Sequence, residues 1–104
     1  MHVIMWRFTA RPGKEAEFEL QYAAGGAWDL LFRNSDGFVS TELLRPAGEN
    51  VAYVTIDRWR SAAAFEDFLR DNDEAYKALD AQCESLTTEE IRLGSFSAVP
   101  PIQR

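Results

Sequence analysis

Hydrophobic positions in this chain alternate in twos, then recur in threes and fours, and the switch happens repeatedly. From His2 to Ala10, Ile4, Trp6 and Phe8 fall on one side of a strand, while Val3, Met5, Arg7 and Thr9 fall on the other. The second side is partly apolar as well, so this strand is expected between two covered layers. Arg11-Pro12-Gly13 has turn chemistry. Lys14 to about Ala24 reads as a helix with Phe18 and Tyr22 at i, i+4. Gly25-Gly26 breaks it, and Ala27–Arg33 resumes with Trp28, Leu31 and Phe32 on one face. After an Asn34–Gly37 loop, Phe38–Arg45 reads as strand two. Pro46-Ala47-Gly48-Glu49-Asn50 then joins it to strand three, Val51–Arg60, as a hairpin.

Val51–Leu69 is the stretch that organises the rest. A β-branched and aromatic strand runs into a helix with no loop between. Ser61 stands at the N-cap, Ala62–Ala64 favour the first turn, and Phe65, Phe68 and Leu69 share one face. Trp59 sits at the seam. The helix reaches about Arg70, and Asp71-Asn72-Asp73 interrupts it, with Asn72 or Asp73 able to cap the next helical segment. Tyr76, Leu79, Cys83 and Leu86 then recur on one stripe. Glu89–Val99 is the last strand, with Gly94 a candidate bulge, and Pro100-Pro101 ends it.

The order β-α-β-β-α-β, with both helices split, predicts an α+β fold of the ferredoxin-like split βαβ kind: a four-stranded antiparallel sheet with helices on one face. The whole of 1–104 is one domain. The other face would carry Val3, Met5, Val54 and Ile56. An apolar patch of that size predicts a homodimer packed sheet to sheet through the open face.

Charge and composition narrow the function classes. Seventeen acidic against eleven basic residues give −6, which argues against nucleic acid as a partner. The single cysteine excludes an internal disulfide or a multi-thiolate metal site. No apolar run approaches membrane-spanning length and the N-terminus is not a signal peptide, so no membrane is expected and the cytoplasm is the default location. Three Trp, three Tyr and seven Phe predict either a thick core or an aromatic-lined cavity.

Three motifs, Arg7–Gly13 (RFTARPG), Asp36–Leu44 (DGFVSTELL) and Trp59–Phe65 (WRSAAAF), resemble the antibiotic biosynthesis monooxygenase family of dimeric α+β barrels. The resemblance runs from Val3 to about Phe96. It implies a pocket in each subunit between sheet and helices, with Trp59 at the position of an aromatic that lines it in characterised relatives. Haem-degrading relatives carry an Asn where Trp6 falls and a haem-ligating His near Tyr76. Neither residue type is kept here, and the only histidine is His2. Haem degradation is therefore disfavoured and no cofactor is expected.

Trp6 and Trp59 could flank a planar aromatic ligand, or simply be core tryptophans. Tyr22 and Trp28 would add to such a wall. Tyr53, Tyr22 and Tyr76 could each aim a phenol at a substrate oxygen, or satisfy it on a backbone carbonyl; Tyr76, on the apolar stripe, is the first to test. Asp57 shares the face of Trp59, whereas Arg7 lies opposite Trp6. Asp57 is a candidate general base with a burial-raised pKa, or else an ion-pair partner of Arg58, Arg60 or Arg92. Cys83 reads as a small buried hydrophobe, and no metal-ligand spacing or nucleotide motif occurs. The leading expectation is a cofactor-independent monooxygenase acting on a small phenolic, quinol or polyketide-like aromatic, with Asp57 and Tyr76 catalytic and Trp6, Trp59, Tyr22 and Trp28 binding. The alternatives are a non-catalytic small-molecule-binding barrel and a structural dimer whose aromatics only fill the core.

Overall fold

The computed structural model describes residues 1–49 and 51–104. Four strands form one antiparallel sheet: β1 (His2–Ala10), β2 (Phe38–Leu44), β3 (Tyr53–Trp59) and β4 (Thr87–Ser97), in the order β2-β3-β1-β4. Each half contributes a split helix: α1 (Glu15–Tyr22) with α2 (Ala27–Phe32), and α3 (Ala62–Asp71) with α4 (Asp73–Cys83). A single 3₁₀ turn, Glu84–Leu86, leads into β4. This is the ferredoxin-like α+β architecture that the alternation predicts.

The helices lie on one face only. Along β3, Tyr53, Thr55, Asp57 and Trp59 are buried and the residues between them are half-buried. Register carries that face across the sheet, because Asp57 pairs with Ile4 on β1 and with Thr41 on β2, and Trp6 pairs with Thr55. The core is correspondingly aromatic. Phe8, Phe18 and Tyr22 cluster under α1, with the Phe18 and Tyr22 rings stacked at 4.3 Å. Under α2 and α3, Trp59 is fully buried among Phe32, Phe38, Phe65 and Phe68, at ring separations of 5.1–5.4 Å.

Local chemistry explains where the helices start and stop. Ser61 is extended and its Oγ accepts the Ala64 N–H at 3.1 Å, so α3 begins directly after the strand. Gly25 adopts φ +86 between α1 and α2, and its N–H donates to the Asp29 carboxylate at 2.6 Å. Arg33 closes that cluster with two hydrogen bonds to the same carboxylate. Gly94, at φ +142, lies where the β1–β4 register slips between Met5 and Trp6, so it is the bulge its sequence position suggests.

Two strand starts and one cap differ from the sequence expectation in ways that bear on the site. β3 begins at Tyr53 rather than Val51, which is left exposed in the connection; Asn50, the last residue expected in that connection, lies outside the described residues. Asn72 stands at the N-cap position of α4, as expected, but its side chain makes no capping bond there. Its side-chain amide donates instead to the Phe68 carbonyl at 3.0 Å and satisfies the end of α3. The last strand begins at Thr87, two residues earlier than expected, because the backbone N–H of Arg11 and the Arg11 guanidinium both hold that corner.

Candidate active site

The tight Gly25-Gly26 break swings α2 so that Trp28 faces Tyr22 at 6.0 Å and the edge of Tyr76 at 5.0 Å. A cavity lies between these rings and the sheet. Its floor is made of Trp6, Phe8, Thr41, Thr55 and Asp57, and its roof of Tyr22, Trp28, Phe32 and Tyr76. Asp80 on α4 and Glu90 on β4, both exposed, stand at its mouth. The enclosed space is about 60 Å³. That is below the roughly 300–1,000 Å³ of ordinary ligand pockets, so an aromatic ligand enters only if lining side chains move outward; Trp6 and Tyr76 are half-buried.

Asp57 is the one acidic group on the floor. It is 9 % exposed, and its Oδ1 accepts a hydrogen bond from the Thr41 hydroxyl. No arginine reaches it: Arg58 pairs with Glu42 at 3.2 Å on the opposite face, and Arg92 donates to Ser95 at 2.6 Å. The ion-pair alternative for Asp57 is therefore not met among the described residues. Burial pushes its pKa up to about 6, against the downward pull of the Thr41 bond, with the Asp29 charge adding to the rise. A carboxylate poised there can accept a proton near neutral pH.

Both phenols in the roof are the opposite kind of group. Burial raises the pKa of Tyr76, and the charges of Asp80, Asp57 and Glu90 raise it further. Burial raises Tyr22 as well. These tyrosines stay neutral and can only donate or accept hydrogen bonds. The Trp28 Nε1–H is buried beside the Tyr22 hydroxyl and the Cys83 thiol, short of full hydrogen-bond geometry with either.

Five of the six expected site residues thus come together: Asp57, Tyr76, Trp6, Tyr22 and Trp28. Trp59 does not join them. It points to the same side of the sheet, but Phe32, Phe38, Phe65 and Phe68 enclose it, and it is packing for the α3 junction rather than cavity wall. Tyr53 is also elsewhere, donating to the Glu19 carboxylate at 2.6 Å, which Arg45 holds from the other side. Cys83 is buried in the core, and burial raises its thiol pKa. His2, the single histidine, lies against Phe65 away from the cavity. The described residues contain no group of three or more His, Cys, Asp or Glu that could hold a metal ion.

Thr41, Thr55, Asp80 and Glu90 do not stand out in the sequence. Two signals point to some of them: Thr55 lies two residues from Asp57 on one strand, and Asp80 lies one helical turn beyond Tyr76. Thr41 and Glu90 need the strand register.

Fold and site together define a two-layer ferredoxin-like domain with an aromatic cavity floored by a buried carboxylate. The chain belongs to the antibiotic biosynthesis monooxygenase family, whose model matches residues 1–81. Among solved structures it is similar to a single-site variant of SnoaB, a cofactor-independent oxygenase from Streptomyces nogalater. The two are 27% identical, with a TM-score of 0.76 over 99% of this chain and 97% of that one. MhuD, a heme degrader from Mycobacterium tuberculosis with two hemes bound in its active site, shares the fold at 23% identity and a TM-score of 0.70, over 99% of this chain and 100% of its own. No curated protein matches significantly by sequence.

Proposed function

We propose that the protein is a cofactor-independent monooxygenase of a small phenolic, quinol or polyketide-like aromatic. The observation that carries this reading is a buried Asp57, free of any cation and tuned near neutrality, on the floor of a cavity roofed by neutral phenols. Asp57 takes a proton from the substrate hydroxyl or from an activated ring carbon. The resulting carbanion supplies its electrons to O₂, and a carbon–oxygen bond forms to give a peroxide. That peroxide is protonated, its O–O bond breaks, and water leaves as the carbon becomes a carbonyl. A CH₂ and O₂ therefore give C=O and H₂O, with the substrate as its own reductant. The Tyr76 and Tyr22 hydroxyls are the donors for the developing oxyanion.

Haem does not fit these residues. The cavity walls offer Asp57, Asp80 and Glu90, no histidine, and no cation for propionate groups. The small enclosed volume favours one competing reading, in which the aromatics only fill the core.

Oxygen uptake with a panel of anthrones, naphthols and quinols, alongside calorimetric binding, separates these readings. Uptake above the buffer rate with water and quinone as products is expected, and Asp57→Asn should remove at least about a hundredfold of it. Binding without uptake would leave a ligand-binding barrel, and no binding at millimolar ligand would leave a structural protein.

In this reading two copies of the chain pack through the helix-free sheet face. The described residues include no helix long and apolar enough to cross a membrane.

A further inference from the structure

The charge around the cavity mouth is predominantly negative. Asp80 and Glu90 line both the inner cavity and a wider outer groove, of about 390 Å³, between α4 and the start of β4. Glu84 and Glu89 continue that groove's wall. Cations temper part of this wall: Lys77 lines the groove and pairs with Asp73 at 3.0 Å, Arg7 pairs with Glu89 at 3.3 Å, and Arg92 donates to Ser95, whereas Asp80 and Glu90 have no ion-pair partner among the described residues. Asp57 adds a further carboxylate at the floor. The two carboxylates shared by the cavity and the groove, Asp80 and Glu90, are thus the charged groups that join them, while the interior offers aromatic faces and no Lys or Arg.

We infer that Asp80 and Glu90 set the substrate's charge class, excluding aromatic carboxylates and admitting neutral or amine-bearing aromatics of the same shape. The inference rests on the cavity being the ligand site. The physical basis is the summed negative field of the two carboxylates at the mouth, which solvent and salt screen because both are exposed, so that it is read at low salt. A ligand carboxylate entering the cavity also loses its water and finds no cation in return.

The test is isothermal titration calorimetry of the full chain with three probes that share one ring system: a (hydroxymethyl)naphthol, an (aminomethyl)naphthol and a hydroxynaphthoate. The neutral and amine probes should bind at least about tenfold more tightly than the naphthoate at low salt. In the Asp80→Asn, Glu90→Gln double variant that gap should shrink to within about threefold. Both positions are exposed, so folding is not at risk, and a thermal melt checks it. A naphthoate that binds as tightly as the neutral probe, or a gap unchanged in the variant, overturns the inference. The oxygen-uptake assay fails independently. Charge-ordered binding without uptake removes the oxygenase and keeps the selectivity, uptake without charge order does the reverse, and no binding by any probe removes both.

Discussion

At the scale of single residues, Asp57 stands apart because its surroundings oppose its charge. A carboxyl raised from 3.8 to about 6 stabilises the fold only while protonated. Its contribution is full below the unfolded value near 4 and is lost as pH rises through 6. At neutral pH the buried charge is thus a liability, and Asp57→Asn, which can still accept from Thr41, should be more stable than the parent by about 2–3 kcal/mol. The difference should vanish near pH 3.5, and urea titrations at the two pH values measure it. A residue whose removal stabilises the protein but abolishes oxygen uptake is held for chemistry and not for folding. In activity, the same group gives a rate that climbs with pH up to about 6 and then levels, since the base works unprotonated. A variant less stable than the parent at pH 7 would mean that the carboxylate has a partner after all.

At the scale of elements, the two split helices decide where the cavity is. Gly26 is packed so closely against the end of α1 that an added Cβ would stand 2.5 Å from the Leu20 carbonyl oxygen and 2.7 Å from that of Gln21. Those are backbone atoms, so α2 must shift, and Gly26→Ala should cost about 1–3 kcal/mol and lower the melting temperature by roughly 4–20 °C. Because Trp28 rides on α2, the same substitution should also weaken naphthol binding, read in the same calorimeter. Gly25→Ala meets no neighbour but strains a φ of +86, so about 1 kcal/mol is expected there. Much of this level was legible in the sequence. The Gly-Gly break, the Ser61 cap and the alternation through Asp57 and Trp59 are local signals, and each reports its own element. What stayed hidden is relational. The alternation put Trp59 on the correct side of the sheet, yet only the positions of Phe32, Phe38, Phe65 and Phe68 show that the ring is walled off from the cavity. Thr41 became visible as the partner of Asp57 only through the β2–β3 register, which depends on where the hairpin connection ends, and β3 begins at Tyr53 rather than Val51.

At the scale of the whole molecule, the chain is a slab 21 Å thin against 45 and 38 Å in the other directions, which is one sheet and one layer of helices. The bare side of that sheet carries Val3, Met5, Val54 and Ile56, all half-buried, with Leu44 and Phe96 beside them at 43 % and 48 % exposed. Two ion pairs, Arg7–Glu89 and Arg58–Glu42, cross the same face and leave it locally neutral, so like charge does not keep a second copy away. Exposed pairs of this kind contribute little by themselves, whereas apolar area buried against a twin contributes about 25 cal/mol per Å² before the cost of association. Light scattering after gel filtration should therefore give about twice the 11.8 kDa chain mass at micromolar concentration. Ile56→Lys, at the middle of the face, should give the single-chain mass with an unchanged helical circular dichroism spectrum, because the side chain points away from the core that folds the subunit. Asp57 is the next residue on the same strand but faces the other way. A monomeric Ile56→Lys protein that still consumes oxygen would place the chemistry within one subunit. One that folds yet loses uptake would make the twin a structural support for the strand that holds the base.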